Sequence, residues 1–167
     1  GLQAPWLDSL RNDPKLTQLQ PSEVLRKMYP TMHDKHFIYT TLGEAIIWES
    51  FYDSANEQMF SAVGVDDSLS NAQASLHGGA AATIFDGIFG VLFSVSGGAG
   101  YTANLSVDYR KPAPLAAGPL LVHAKISGRE GRKIFLEGKI IESAEPDSPV
   151  YAESTSLFLI SKVKEAG

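Results

Sequence analysis

A chain of 167 residues suits one domain with a sizeable core and is short for two. Apolar residues make up 44% and charged residues 20%, a globular balance that excludes a disordered chain. The net charge of −5 argues against nucleic acid as a partner, and the lack of cysteine removes disulfides, thiolate nucleophiles and cysteine-bound zinc. The longest apolar candidate for a membrane span, Ala80 to Val95, contains Asp86 and two glycines and is too short. The first residue is Gly1 rather than Met, which leaves open a targeting segment upstream.

The first part of the chain, residues 1–42, reads as a helical and irregular extension. Trp6, Leu7 and Leu10 are spaced for one helix face, and Pro14 closes that segment. Pro21 opens a second helix through Val24, Leu25 and Met28, ending before Pro30. His33 and His36 follow in a stretch without a period.

From residue 43 to 163 the pattern is that of a domain. Ala45 to Tyr52 and Gln58 to Val65 are rich in β-branched and aromatic residues, joined by a hairpin connection at Asp53 to Glu57. A polar loop from Asp66 to Ser75 leads into a helix over Ala80 to Phe93. Its apolar residues, Ile84, Phe85, Ile88, Phe89 and Val91 to Phe93, surround the axis, so burial on all sides is expected. Gly87 and Gly90 weaken it by about 1 kcal/mol each relative to Ala, which close packing has to offset. Four strands follow: Tyr101 to Tyr109, the alternating runs around Leu120 to Ser127 and Ile134 to Ile141, and Val150 to Ile160. Two strands, a buried helix and four strands with hairpin links fit an α+β architecture. A curved antiparallel sheet wraps one central helix, and this is the hotdog fold.

Asp86 is the residue that packing does not explain. A carboxylate among Phe85 and Ile88 costs several kcal/mol to desolvate unless it has a partner or a task. A polar seam at a subunit interface accounts for it as well as catalysis does. Ahead of it, His77-Gly78-Gly79 stands at the helix start, where free N–H groups and the positive end of the dipole suit an oxyanion. A histidine there is more often a cap than a catalyst. His77 and Asp86 are nine residues apart, about two and a half turns, too far for an easy dyad within one chain.

The run Asn71-Ala72-Gln73-Ala74-Ser75-Leu76-His77-Gly78-Gly79, continuing to Asp86, resembles the signature of hotdog thioesterases related to the phenylacetate-pathway enzymes. Tyr101-Thr102-Ala103-Asn104-Leu105-Ser106-Val107-Asp108-Tyr109-Arg110-Lys111-Pro112 is similar to the animal thioesterase superfamily members four and five, as are Glu130 to Phe135 and Ala152 to Phe158. The resemblance implies hydrolysis of acyl-CoA thioesters, of medium to long fatty chains, with no cofactor beyond the CoA ester itself and no metal. Asp86 would be general base or nucleophile, and an aspartate ionised at neutral pH suits either role. The Gly78 N–H would be the oxyanion donor, with Gly79 supporting the turn. His77 would orient the loop or bind the carbonyl, Asn71 would position thioester and water, and Thr102 would orient the water. Arg110 and Lys111 are the preferred holders of the CoA phosphates, with Arg132 and Lys133 next, although any one of them reads equally as a solvated surface charge. Phe85, Phe89, Phe93 and Trp48 are candidates for an acyl channel, or ordinary core. The resemblance further implies a homodimer with the site across its interface, alone or as a dimer of dimers, and a mitochondrial location.

Two other readings compete. A hotdog without turnover would serve as an acyl-CoA-binding or protein-interaction module, which does not need Asn71, His77, Gly78, Asp86 and Thr102 together. A hydratase on this fold would need a differently spaced carboxylate–histidine pair, and the sequence contains none.

Overall fold

The computed structural model describes residues 1–31 and 35–162. His33 and the last residue of the expected domain, Val163, lie outside them. Seven antiparallel strands form one sheet: β1 Thr17–Leu19, β2 Ile46–Asp53, β3 Gln58–Val65, β4 Gly100–Tyr109, β5 Leu120–Glu130, β6 Lys133–Ile141 and β7 Val150–Ile160. Their order across the sheet is β1-β2-β3-β5-β6-β7-β4, so β4 forms one edge. The helices are α1 Pro5–Arg11, α2 Pro21–Met28, α3 Phe37–Thr40 and α4 Gly78–Val95.

The sheet wraps α4, as the hotdog arrangement requires. Alternation on β6 sends Ile134, Leu136 and Ile140 inward, and β3 and β5 add Met59, Val63, Leu120 and Val122 to the same core. Gly138 keeps this face shallow enough for α4 to approach. A Cβ there would stand 2.9 Å from the Phe89 ring, which therefore packs on bare backbone. By length and composition α4 could cross a membrane, yet eight of its residues are buried in this core, which accounts for its hydropathy.

Burial around α4 is not complete, in contrast to the sequence expectation. Ala82, Thr83, Asp86, Gly87 and Gly90 form a half-buried stripe at helical spacing. A sheet can cover only one side of a helix, and this stripe lies at the margin of that cover, where strand β4 still reaches it. The composition was apolar all round because much of the stripe is alanine and glycine, not because a second layer of the domain encloses it.

Residues 1–42 are not only helical. The segment Thr17–Leu19 adds a strand to the β2 edge, with Gln18 opposite Phe51. Ahead of it, α1 lies on the outer face of the sheet, where Trp6 and Leu7 join Phe51, Ala62 and Leu121 in a second apolar cluster. After β1 the chain crosses to the inner side, and α2 packs against α4. Proline at the first turn of both α1 and α2 fits the missing N–H and fixed φ of that position.

Candidate active site

Asp86 sits on the open stripe of α4. The Thr102 hydroxyl, arriving from the start of β4, donates to its Oδ1 at 2.7 Å. A bulge between Thr102 and Asn104 shifts the register of β4 against β7 at this point. Asp86 and Thr102 line a cavity of about 360 Å³, with Gly90, Val91, Phe93 and Phe158 forming part of its apolar wall. Of the four aromatic residues expected in an acyl channel, only Phe93 reaches this cavity, its ring 5.1 Å from that of Phe158. Phe85 and Phe89 are fully buried core, and Trp48 packs against that core from its margin.

The amino terminus of α4 is built differently. His77 is its N-cap, and the imidazole Nδ1 accepts the Gly79 N–H at 2.9 Å. A Cβ on Gly79 would stand 3.2 Å from that ring, so glycine lets the cap close. The capping bond leaves His77 orienting the turn. The Gly78 N–H, at the first helical position, has no intrahelical acceptor. Tyr109, at the far end of β4, donates its hydroxyl to the Gly78 carbonyl at 2.5 Å. Asn71 braces the preceding loop: its Oδ1 accepts the Gln73 N–H at 2.9 Å and the Ser75 N–H at 3.0 Å.

The expected residues therefore gather at separate places within one subunit. Gly78, Asn71, Arg110 and Lys111 line a second cavity, of about 290 Å³, and His77 lines a third. The eight residues from Gly78 to Asp86 rise by about 12 Å along α4. Arg110 pairs with Glu153 at 2.9 Å, and its guanidinium holds the Glu153 carboxyl below its ordinary range. The Lys111 ammonium makes no ion pair among the described residues, and is the less committed cation of the two. Arg132, whose Nε donates to the Ile160 carbonyl at 3.0 Å, and Lys133 stand at the opposite end of β7.

His36, in the stretch without a period, is a site residue that the sequence reading did not select. It lines the Asp86 cavity, beside Tyr39. Burial lowers the pKa of His36, while the Asp86 charge opposes that shift. Burial alone pushes the Tyr39 phenol well up. Nothing in the periodicity could have revealed His36, because its place depends on how the extension folds back.

Residues 73–146 match the family described as the thioesterase superfamily. Acyl-coenzyme A thioesterase THEM4 of Bos taurus is 37% identical over 84 residues, 50% of this chain and 33% of that protein. A Candida albicans (strain WO-1) relative, named uncharacterized protein, mitochondrial, is 30% identical over 136 residues, 77% of this chain and 59% of that one. The matches thus span about a third of the first relative and three fifths of the second. Among solved structures, thioesterase superfamily member 2 from Mus musculus superposes with a TM-score of 0.64 over 86% of this chain and 99% of that one, at 17% identity. Sequence match and architecture agree: residues 73–146 match the thioesterase superfamily, and the chain has the hotdog fold.

Proposed function

We infer that the protein hydrolyses acyl-CoA thioesters in a site assembled from two copies of the chain. The observation that carries this is the Asp86 carboxylate on the open stripe of α4, held by the Thr102 hydroxyl at 2.7 Å and facing an apolar cavity. A carboxylate so placed can take a proton from water, or attack the carbonyl itself, while a donor array elsewhere receives the developing oxyanion.

That donor array is the Gly78 turn, and a two-fold pairing of edge strands supplies it. Thr102, beside Asp86, is near the start of β4, and Tyr109, beside Gly78, is at its end. Antiparallel pairing of β4 with its own copy about the middle of the strand brings the Thr102 end of one subunit beside the Tyr109 end of the other. Asp86 then faces the other subunit's Gly78. The same pairing carries Arg132 and Lys133 of one subunit toward Arg110 and Lys111 of the other, which gathers cations for the CoA phosphates at one mouth. Medium to long acyl chains suit the apolar wall of Val91, Phe93 and Phe158. The THEM4 name of the curated relatives supports the activity, and the mitochondrial name of the Candida relative supports that compartment.

A second reading has its own observation: within one subunit Gly78 and Asp86 line different cavities. A protein that stays monomeric would bind acyl-CoA without turning it over. Thiol release from acyl-CoAs of graded chain length, with wild type and Asp86→Asn, decides between them. Wild-type turnover that falls by at least about 100-fold in the nearly isosteric variant is the expected result. CoA-ester binding without turnover in the wild type would favour the binding module.

A further inference from the structure

We propose that Tyr109 is a positioning residue for hydrolysis, its hydroxyl fixing the Gly78–Gly79 peptide so that the Gly78 N–H meets the thioester oxygen. This rests on the thioesterase reading and names the side chain that keeps its donor turn in place. Strand β4 gives Tyr109 its reach. Tyr109 and Thr102 are seven positions apart, and on a regular strand an odd separation puts two side chains on opposite faces. Yet both hydroxyls bond to α4, Thr102 to Asp86 and Tyr109 to the Gly78 carbonyl.

The bulge in β4 reconciles the two. Thr102 lies opposite Phe158 and Tyr109 opposite Ala152, six positions apart on β7, so Ala103 is one extra residue on β4. Phe158 and Ala152 both belong to the core around α4. The extra residue resets the alternation, and a single strand presents both hydroxyls to the helix.

At the turn, Tyr109 completes a set of bonds around one amide. The His77 N–H donates to the Leu69 carbonyl at 2.9 Å, and the His77 carbonyl accepts the Ala81 N–H at 2.9 Å. In the Gly78–Gly79 peptide, the N–H is held by the His77 imidazole and the carbonyl by Tyr109. Both ends of that peptide plane are gripped, one by the helix cap and one by β4. Two successive glycines lack the Cβ atoms that restrict a backbone, so the turn depends on such grips to stay in one orientation. A Cβ at Gly78 would stand 3.4 Å from the Tyr109 ring and hydroxyl, so the ring also covers one side of the turn. An oxyanion donor is effective when it is held in place before charge develops on the carbonyl oxygen. Tyr109 is 55% exposed in one subunit, and the Thr102 end of the other subunit would shield its bond in the proposed dimer.

The test is Tyr109→Phe, which removes the hydroxyl and keeps the ring. The expected result is a kcat about tenfold lower, with KM and Tm close to wild type. A kcat within about twofold of wild type, or a loss confined to KM, overturns the proposal. A second measurement needs no turnover and compares two CoA thioethers of equal chain length. One carries a plain alkyl chain. The other carries a difluoroalkyl ketone, which hydrates to a tetrahedral carbon bearing oxygen where the oxyanion forms. Tyr109→Phe should weaken binding of the ketone about tenfold and leave the plain thioether within about twofold. Equal loss for both, or loss for neither, overturns the proposal. A wild type without any turnover would overturn the thioesterase reading, and the ratio of the two affinities would still decide the role of Tyr109.

Discussion

Thr102 and Asp86 come from distant parts of the chain, and the hydroxyl fixes which carboxylate oxygen stays available to water. A hydrogen bond to a charged group contributes roughly 1.5–3 kcal/mol, so Thr102→Ala should lower kcat about tenfold while Thr102→Ser retains it. Steady-state kinetics check this, and an unchanged rate removes Thr102 from the site. At this scale Asp86 was legible from the sequence because a charge inside an apolar helix contradicts its surroundings. His36 was not, since a histidine in an aperiodic stretch carries no sign of what folds over it. Asn71 shows the limit from the other side: its side-chain oxygen is committed to two loop amides, which spacing alone could not show. His123 gives a further expectation. Its Nε2 is 2.8 Å from Gln58 Oε1 and its ring stacks on Phe60 at 4.5 Å; burial first, then Lys125 and Lys139, lower its pKa. A histidine with a depressed folded-state pKa leaves the unfolded chain binding more protons just below the ordinary value of 6.5. Stability contributed by neutral His123 is thus complete above that value and is lost as pH falls from it toward the folded-state value. Urea denaturation at stepped pH should show this decline, and His123→Gln should flatten it.

Among the elements, α4 carries two glycines with different meanings. At Gly87 a Cβ would meet the Ile38 side chain at 2.9 Å, so close packing of the extension explains it. At Gly90 a Cβ would meet nothing within 4 Å, and the residue lines the Asp86 cavity. Gly90→Ala should therefore stabilise the helix by up to about 1 kcal/mol. Gly90→Leu should fill the cavity and move the preferred acyl chain toward shorter lengths. An unchanged chain-length profile in Gly90→Leu would show that the acyl group runs elsewhere. The long helix and the domain strands were legible because period and turn residues agreed over many positions. The three-residue β1 was not: Thr17–Leu19 is extended because β2 offers an open edge, not because of its own composition. Helix α1 was legible as a helix, but its seat on the outer face was not. Leu7 is fully buried there, and Leu7→Ala should cost about 2–5 kcal/mol by thermal or urea unfolding.

For the whole molecule, the separation of Gly78 from Asp86 turns the subunit arrangement into a measurable quantity. Gly78→Pro removes the donor N–H at the first helical position, where proline is well tolerated, and His77 already has the extended backbone (φ −61°, ψ 136°) that precedes proline. Gly78→Pro and Asp86→Asn homodimers should each be inactive. Mixing the two subunits should recover about one quarter of wild-type activity, since half the dimers would be mixed and each would hold one intact site of two. Absence of recovery would place both groups of each site in the same chain.

The short β1 has a consequence for how far association can proceed. An open sheet has two borders, and a molecule sticky at both would polymerise. Here the amino-terminal segment has already occupied part of one border with a three-residue strand, too short and too exposed to recruit a neighbour. In the proposed dimer, recruitment would be left to β4 at the other border, and a self-complementary border is spent once two copies meet. On that pairing, the extension that brings His36 to the cavity would also act as a terminator, keeping sheet growth finite.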